Sequence, residues 1–341
     1  MKILITGGCG FVGSNIAIFL KKKLKYSKIF SLDNLSRMGS EINQTRLKKK
    51  GIKNFKIDVI SKKILKLPKF NLIIDCCAEP AIEESKKNPD KVFYTNLVGT
   101  FNILKKATKD KSKIIFLSSS RVYSINKLNK IIKSKDLKSK IKVKLKINHA
   151  FSNDAPLSLY GYSKLSSELL IKEFNYMHQI KYIINRFGVI SGPWQFGKVD
   201  QGFISLWIAK HLRNRKLKYI GYGGHGNQVR DIIHINDVCE ILYKQIRKFN
   251  SIYNISFDIG GGKKNIIDLN LLTKKCQKIT NNTVPILKIK STSIFDVPYF
   301  VSDNDKIKKY YNWIPKLSTD EILLDIFNWL KDHKKILRSY F

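Results

Sequence analysis

Tyr160 and Lys164, in the run Tyr160-Gly161-Tyr162-Ser163-Lys164, are four residues apart and could do chemistry together. On a helix, positions i and i+4 share a face, so the phenol and the ammonium can point into one cleft. A tyrosine titrates near about 10 and is a poor base at neutral pH. A neighbouring ammonium favours the phenolate, so the pair reads as a general base and its activator. Tyr162, two residues from Lys164, faces elsewhere on the helix. Alone, Tyr-x-x-x-Lys also suits a plain amphipathic helix. It gains force from Ser118-Ser119-Ser120-Arg121-Val122-Tyr123, which sets hydroxyls at the end of an apolar strand, where open parallel sheets bind ligands.

The second constellation is Thr6-Gly7-Gly8-Cys9-Gly10-Phe11-Val12-Gly13, between the first apolar run and the first helical one. Gly7, Gly10 and Gly13 give GxxGxxG spacing, a close variant of the dinucleotide fingerprint. The backbone must turn tightly and approach a pyrophosphate there, and the helix start at Phe11 and Val12 offers N–H groups and a positive dipole end. Asp33 closes the second strand, where a carboxylate accepts hydrogen bonds from ribose hydroxyls and repels a 2′-phosphate. NAD is therefore expected over NADP, with Arg37 the one nearby group able to hold a phosphate. A nicotinamide ring would add positive charge beside Tyr160, and Lys164 could hydrogen-bond its ribose.

The elements that position these residues alternate. Segments 2–6, 28–33, 55–57, 72–76, 113–118 and 182–187 read as strands, and 11–24, 40–50, 89–109 and 160–178 as helices. Phe93, Leu97, Phe101 and Leu104 form one apolar stripe expected to be buried. The fold class is α/β: a Rossmann doubly wound parallel sheet, with a smaller C-terminal α/β substrate lobe closing over a ligand. The expected division is 1–185 and 186–341, the chain crossing between lobes near 228–250. In 124–150, Lys140, Lys142, Lys144 and Lys146 alternate with apolar residues as an edge strand with one wet face would.

Composition sets the remaining bounds. The 341 residues suit two lobes, and 43% hydrophobic content is globular. No apolar run reaches the roughly 20 residues that span a bilayer. Met1-Lys2 leads straight into Ile3-Leu4-Ile5 and then glycines, without the core and cleavage site of a signal. Cys9, Cys76, Cys77, Cys239 and Cys276 show no disulfide framework and no metal spacing, so reduced thiols, a cytoplasmic chain and no metal are expected. The net charge of +38 is spread along the chain, as in Lys21-Lys22-Lys23 and Lys48-Lys49-Lys50, so nucleic acid is not the expected partner.

From these stretches the chain resembles the extended short-chain dehydrogenase/reductases, specifically the NAD-dependent nucleotide-sugar epimerases and dehydratases. TGGCGFVGSN, Asp33-Asn34, Asp58-Val59, Asn96-x-x-Gly99-Thr100, SSSRVY, YGYSK and VRDIIH fall in the family's order over nearly the whole chain. The resemblance implies that Asp58 and Val59 flank the adenine and that Asn96 braces the active-site end of the fourth helix. It puts Ser119 in the place of the catalytic Ser/Thr, and Asn34, Arg37, Cys77, Ala78 and Ser118 along the cofactor. Three positions depart from the family's habit: Asp75 stands where His is usual, Cys77 for a small residue and Ser124 for glycine.

Within the family, DNLSRMGSE (33–41), AEPAIEES (78–85), GPWQFGKVDQG (192–202) and YIGYGGHGNQVRDIIH (219–234) are similar to the branch that inverts C2 of CDP-linked 3,6-dideoxyhexoses. That likeness implies that Gln195, Gln201 and Arg230 line the nucleotide-sugar site, Arg230 holding the diphosphate, and that the protein is a homodimer. An ion pair with Asp231 is the alternative for Arg230. The implied reaction is removal of a hydride and a proton from one sugar carbon and return of the hydride to its other face. Dehydratases of the family add an acidic pair after the Ser/Thr; Ser120 and Arg121 stand there, which disfavours dehydration. A 4-epimerase, a dehydrogenase and a non-catalytic NAD-binding protein are the rival readings.

Overall fold

Strands such as Lys2–Thr6 (KILIT) and Leu72–Asp75 (LIID) are almost wholly buried and show no polar alternation. Such runs fit a parallel sheet covered on both faces. The computed structural model describes residues 1–80, 82–131, 146–197 and 202–341. In chain order the elements are β1 (Lys2–Thr6), α1 (Phe11–Lys23), β2 (Lys28–Leu32), α2 (Ser40–Lys49), β3 (Lys53–Phe55), β4 (Leu72–Asp75), α3 (Ile82–Lys87) and α4 (Pro89–Phe93). There follow α5 (Gly99–Asp110), β5 (Lys113–Ser119), α6 (Ile125–Ile131), α7 (Ser158–His178), β6 (Tyr182–Phe187), β7 (Val189–Ser191), α8 (Phe203–Leu212), β8 (Leu217–Ile220) and β9 (Val229–His234). The rest are α9 (Ile235–Arg247), β10 (Ile255–Ile259), β11 (Ile266–Ile267), α10 (Leu269–Thr280), β12 (Ile286–Ile289), β13 (Tyr299–Phe300), α11 (Asp305–Tyr311), α12 (Thr319–Asp332) and α13 (Lys334–Tyr340).

The strands of the main sheet run in the order β10-β6-β5-β4-β1-β2-β3, and the pairings from β5 through β4, β1 and β2 to β3 are parallel. The order reverses between β1 and β4, so the loops after these two strands meet at the switch point where doubly wound sheets bind ligands. Under the helices lies one apolar core that includes Leu4, Ile73, Ile103, Phe116, Ile171 and Ile184. The third strand is earlier than the expected 55–57: Lys53–Phe55 pair with Phe30–Leu32, and the Ile57 N–H already turns back to the Phe55 carbonyl.

The chain forms two units, Met1–Val122 with Ser158–Arg186 and Val238–Phe257, and Tyr123–Leu157 with Phe187–Asp237 and Asp258–Phe341. The segment from Tyr123 therefore belongs to the second unit, whereas the sequence reading gave it to the first. The reason is local. Tyr123 hydrogen-bonds Asp258, Ile147 bridges Ser302, and Asn148 donates to Asp303 at 3.0 Å. Lys146 lies 2.6 Å from Asp305, and the remainder of the expected Lys140–Lys144 edge pattern is outside the described residues. In this unit β11, β9 and β13 form one sheet with β7 on β9, β12 pairs with β8, and a core including Trp207, Ile232, Leu272, Ile326 and Trp329 packs beside them.

Candidate active site

The glycine loop sits where β1 ends. Gly7 has φ +58°, a conformation that side-chain-bearing residues rarely adopt. A Cβ on Gly13 would lie 2.3 Å from the Gly7 carbonyl oxygen, so α1 approaches the loop as closely as glycine permits. Helix α1 starts at Phe11 without an acidic residue in its first turn, which leaves its positive end suited to an anion. Asp33 fixes the loop from β2: its carboxylate accepts the Cys9 N–H at 3.0 Å and the Leu35 N–H at 2.8 Å. Burial pushes this carboxyl above its ordinary value, and the N–H donors pull the other way. Asn34 donates to Asp58 at 2.7 Å, so these two expected cofactor residues form one pair. Val59 is buried against Gly99, and most of its side chain belongs to the core. Cys77 donates its N–H toward Thr6 and Asp75, beside Gly7, and Ala78 is half-buried next to it. The cradle fits a dinucleotide.

Tyr160 and Lys164 lie on α7, which packs over β5. Lys164 is buried, and its ammonium lies 4.2 Å from the centre of the Phe116 ring. Ser119 ends β5; its hydroxyl accepts the Arg121 N–H at 3.1 Å and acts to lower the pKa of the Tyr160 phenol. Tyr162 is 52% exposed, as its place on the helix requires. Burial pushes the Tyr160 phenol above its ordinary value, and the Ser119 hydroxyl, Arg121 and Arg37 oppose that push. Arg121 and Arg37 are the cations that lower the phenol, and burial pushes Lys164 itself below its ordinary value.

Asn96 lies in a π-helical turn, Tyr94–Val98, a local distortion frequent at functional sites. It accepts the Glu79 N–H at 2.7 Å and donates to the Ser163 hydroxyl at 3.0 Å, bracing α7 beside Lys164. Arg37 stands 3.9 Å from Glu79, which also pairs with Lys91 at 3.0 Å. The expected buried stripe is only partly buried. Leu104 is inside, but Phe93 and Phe101 are exposed, because the face turned to the sheet is Asn96, Thr100, Ile103 and Ala107.

Ser118 differs from its expected role. Its hydroxyl points under α7 and donates to Glu168, which Arg186 grips through Nε at 3.0 Å and Nη2 at 2.7 Å. This buried trio ties the end of β5 to α7. The sequence reading missed it, although Glu168 is four residues beyond Lys164 and so lies on the same helical face.

In the second unit, Arg230 has the pairing alternative but not the expected partner. It meets Asp296 at 3.0 Å and the Val229 and Val297 carbonyls at 2.8 Å. Asp231 is buried instead beneath the Gly262 and Ser302 N–H groups, at 2.9 and 3.1 Å. The Gln195 amide bonds Ser191, Ser205 and the Ile190 carbonyl, so it holds its own loop. Gln201 lies outside the described residues.

A profile of the NAD dependent epimerase/dehydratase family matches residues 3–260. The chain belongs to that family. It is an NAD-dependent enzyme of the nucleotide-sugar epimerase and dehydratase type. It is 27% identical over 340 residues to CDP-paratose 2-epimerase from Salmonella typhi, covering 96% of this chain and 99% of that protein. It is 28% identical over 347 residues to a putative UDP-glucose 4-epimerase of Methanocaldococcus jannaschii, covering 98% and 99%. Among solved structures, the UDP-glucuronic acid 4-epimerase of Bacillus cereus, in complex with UDP-glucuronic acid and NAD, superposes with a TM-score of 0.83 at 22% identity, over 97% of this chain and 99% of that one.

Proposed function

We propose that the protein inverts C2 of a CDP-linked 3,6-dideoxyhexose through a transient keto sugar. The observation that carries this reading is the grouping of Ser119, Tyr160 and Lys164 with Arg121, rather than a carboxylate, beside the phenol. Full-length likeness to CDP-paratose 2-epimerase supports the choice of nucleotide and carbon.

Tyr160, as phenolate, takes the proton of the sugar hydroxyl, and Ser119 orients that hydroxyl from the same side. Lys164, one helical turn away, favours the phenolate. NAD, when bound along the Gly7–Gly13 loop and Asp33, supplies the hydride acceptor and donor. The rigid seating of Tyr160 and Ser119 keeps proton and hydride removal aligned on one carbon. After the keto sugar has turned over, the Tyr160 phenol returns its proton. Arg230, held in place by Asp296, is assigned to the diphosphate, whose oxygens a guanidinium fork matches. Gln195 and Gln201 are assigned to the same nucleotide-sugar site.

The test is product NMR on a panel of CDP- and UDP-linked sugars in deuterium oxide. C2 of the CDP-linked 3,6-dideoxyhexose should invert and keep its own hydrogen. Inversion at C4 of a UDP-sugar, the second reading that the M. jannaschii relative favours, would replace the proposed substrate. Deuterium at the inverted carbon would exclude a returning hydride.

A second copy is the proposed partner of the surface formed by α4, α5 and α7, where Phe93, Phe101 and Leu169 are 38%, 41% and 56% exposed. Light scattering at micromolar concentration should give twice the mass of the chain, and Leu169→Asp should halve it; a monomeric wild type refutes the pairing. Cytoplasmic residence belongs to the same proposal, supported by five unpaired cysteines. No described helix is long and apolar enough to cross a membrane. Nucleic acid has no part in this reading.

A further inference from the structure

Asp75 ends β4 at the switch point of the sheet and is 1% exposed. Three donors converge on its carboxylate: the Thr6 hydroxyl, the Cys77 N–H at 3.3 Å and the Thr100 hydroxyl at 3.3 Å. The Thr100 hydroxyl also lies 2.8 Å from the Asn96 carbonyl oxygen, which accepts the Ser167 hydroxyl at 3.2 Å. Asn96 in turn donates to Ser163. Ser163 and Ser167 flank Lys164 on α7, so a short polar chain runs from Asp75 to the helix that carries the catalytic pair. Across the sheet, Asp75 is paired with Phe116, the residue whose ring carries the Lys164 ammonium.

The other groups around Lys164 leave a charge to be balanced. Glu168 is gripped by Arg186. Cys76 and Cys77 are thiols that burial pushes well above their ordinary value, which keeps them neutral. Tyr160 shares the helix as a phenol, the π-helical turn and α5 bring the uncharged Asn96 and Thr100, and the turn after β5 brings the cation Arg121. Glu79, bonded to Asn96, is paired with Arg37 and Lys91. Of the anions acting on Lys164, Asp75 is foremost and Glu168 lesser.

We infer that Asp75 is the counter-charge that holds Lys164 as an ammonium in its buried seat, and so a positioning residue for the Tyr160–Lys164 pair. This rests on the reading of that pair as base and activator. It agrees with the balance at Lys164, where burial pushes the amine below its ordinary value and Asp75 is foremost among the groups that resist. An uncompensated buried ammonium sheds its proton.

The test reads Lys164 directly, with no sugar present. NMR of NAD-loaded protein carrying isotope-labelled lysine, with Lys164→Arg assigning the signal, follows its titration in wild type and Asp75→Asn. The Asn side chain keeps the shape and removes the charge. The Lys164 midpoint should fall by about one pH unit or more, the effect of losing a close opposite charge. An unchanged midpoint overturns the inference, whether or not a substrate has been found. If Asp75→Asn does not fold, Asp75→His serves, since its imidazole is neutral above pH about 8. Its Lys164 must also titrate below wild type, and a midpoint equal to wild type overturns the inference. With a substrate in hand, the alkaline limb of kcat should move to lower pH in the same variant, while a merely structural loss would lower the whole profile and leave the limb in place.

Discussion

Tyr160→Phe should slow turnover roughly 10²–10⁴-fold while NAD still binds, because it removes the base and leaves the ring in its place. Tyr160 is half-buried, and the Ser119 hydroxyl keeps the Arg121 N–H as its partner, so the change disturbs little else. Lys164→Ala should lose activity and weaken NAD as well, since the ammonium is assigned to both the phenolate and the cofactor ribose. Tyr162→Phe is the control: its side chain is half exposed, one position from a buried face, and should turn over like wild type. Steady-state rates on a substrate taken from the sugar panel, with NAD affinity by calorimetry, decide the matter. Near-normal turnover in Tyr160→Phe with loss in Tyr162→Phe would show that the register of the pair is wrong.

Glu168→Gln should be the most destabilising conservative change in the first unit. Glu168 and Arg186 have side chains 1% and 6% exposed. Removing one charge leaves the other buried and uncompensated, a loss of about 3–5 kcal/mol. The apparent melting temperature should therefore fall by about 10 °C. Lys127–Asp154, with side chains 51% and 69% exposed, is the contrasting ion pair, and Lys127→Ala should leave the midpoint within about 2 °C of wild type. Adding Arg186→Met to Glu168→Gln should recover most of the loss by removing the stranded charge. A Glu168→Gln protein that melts with wild type would mean the trio carries no stability.

The parts of this account readable from residues alone were those set by short-range rules. The 3.6-residue period put Tyr160 and Lys164 on one face and Tyr162 off it, and the glycine spacing with Asp33 picked out the tight loop after β1 whose geometry suits a dinucleotide. What could not be read depended on which buried groups meet across the fold. Ser118 looked like a cofactor hydroxyl until Glu168 and Arg186 stood beneath it. Arg230 was weighed against its chain neighbour Asp231, but adjacent residues on a strand point to opposite faces, and the partner is Asp296, 66 residues away. The Phe93–Leu104 stripe failed because a π-helical turn breaks the period it assumed. Asp75 stood out only as a departure from a family habit; its contacts with Thr6 and Thr100 give it a use.

The measurement that bears most directly on the mechanism is trapping of the oxidised sugar. Turnover of the CDP-linked 3,6-dideoxyhexose is stopped by denaturation in the presence of labelled borohydride, and the labelled carbon is located. The account predicts label at C2 with wild type and none with Tyr160→Phe. Epimerised product with no label at any ring carbon, from wild type at substantial turnover, would contradict it.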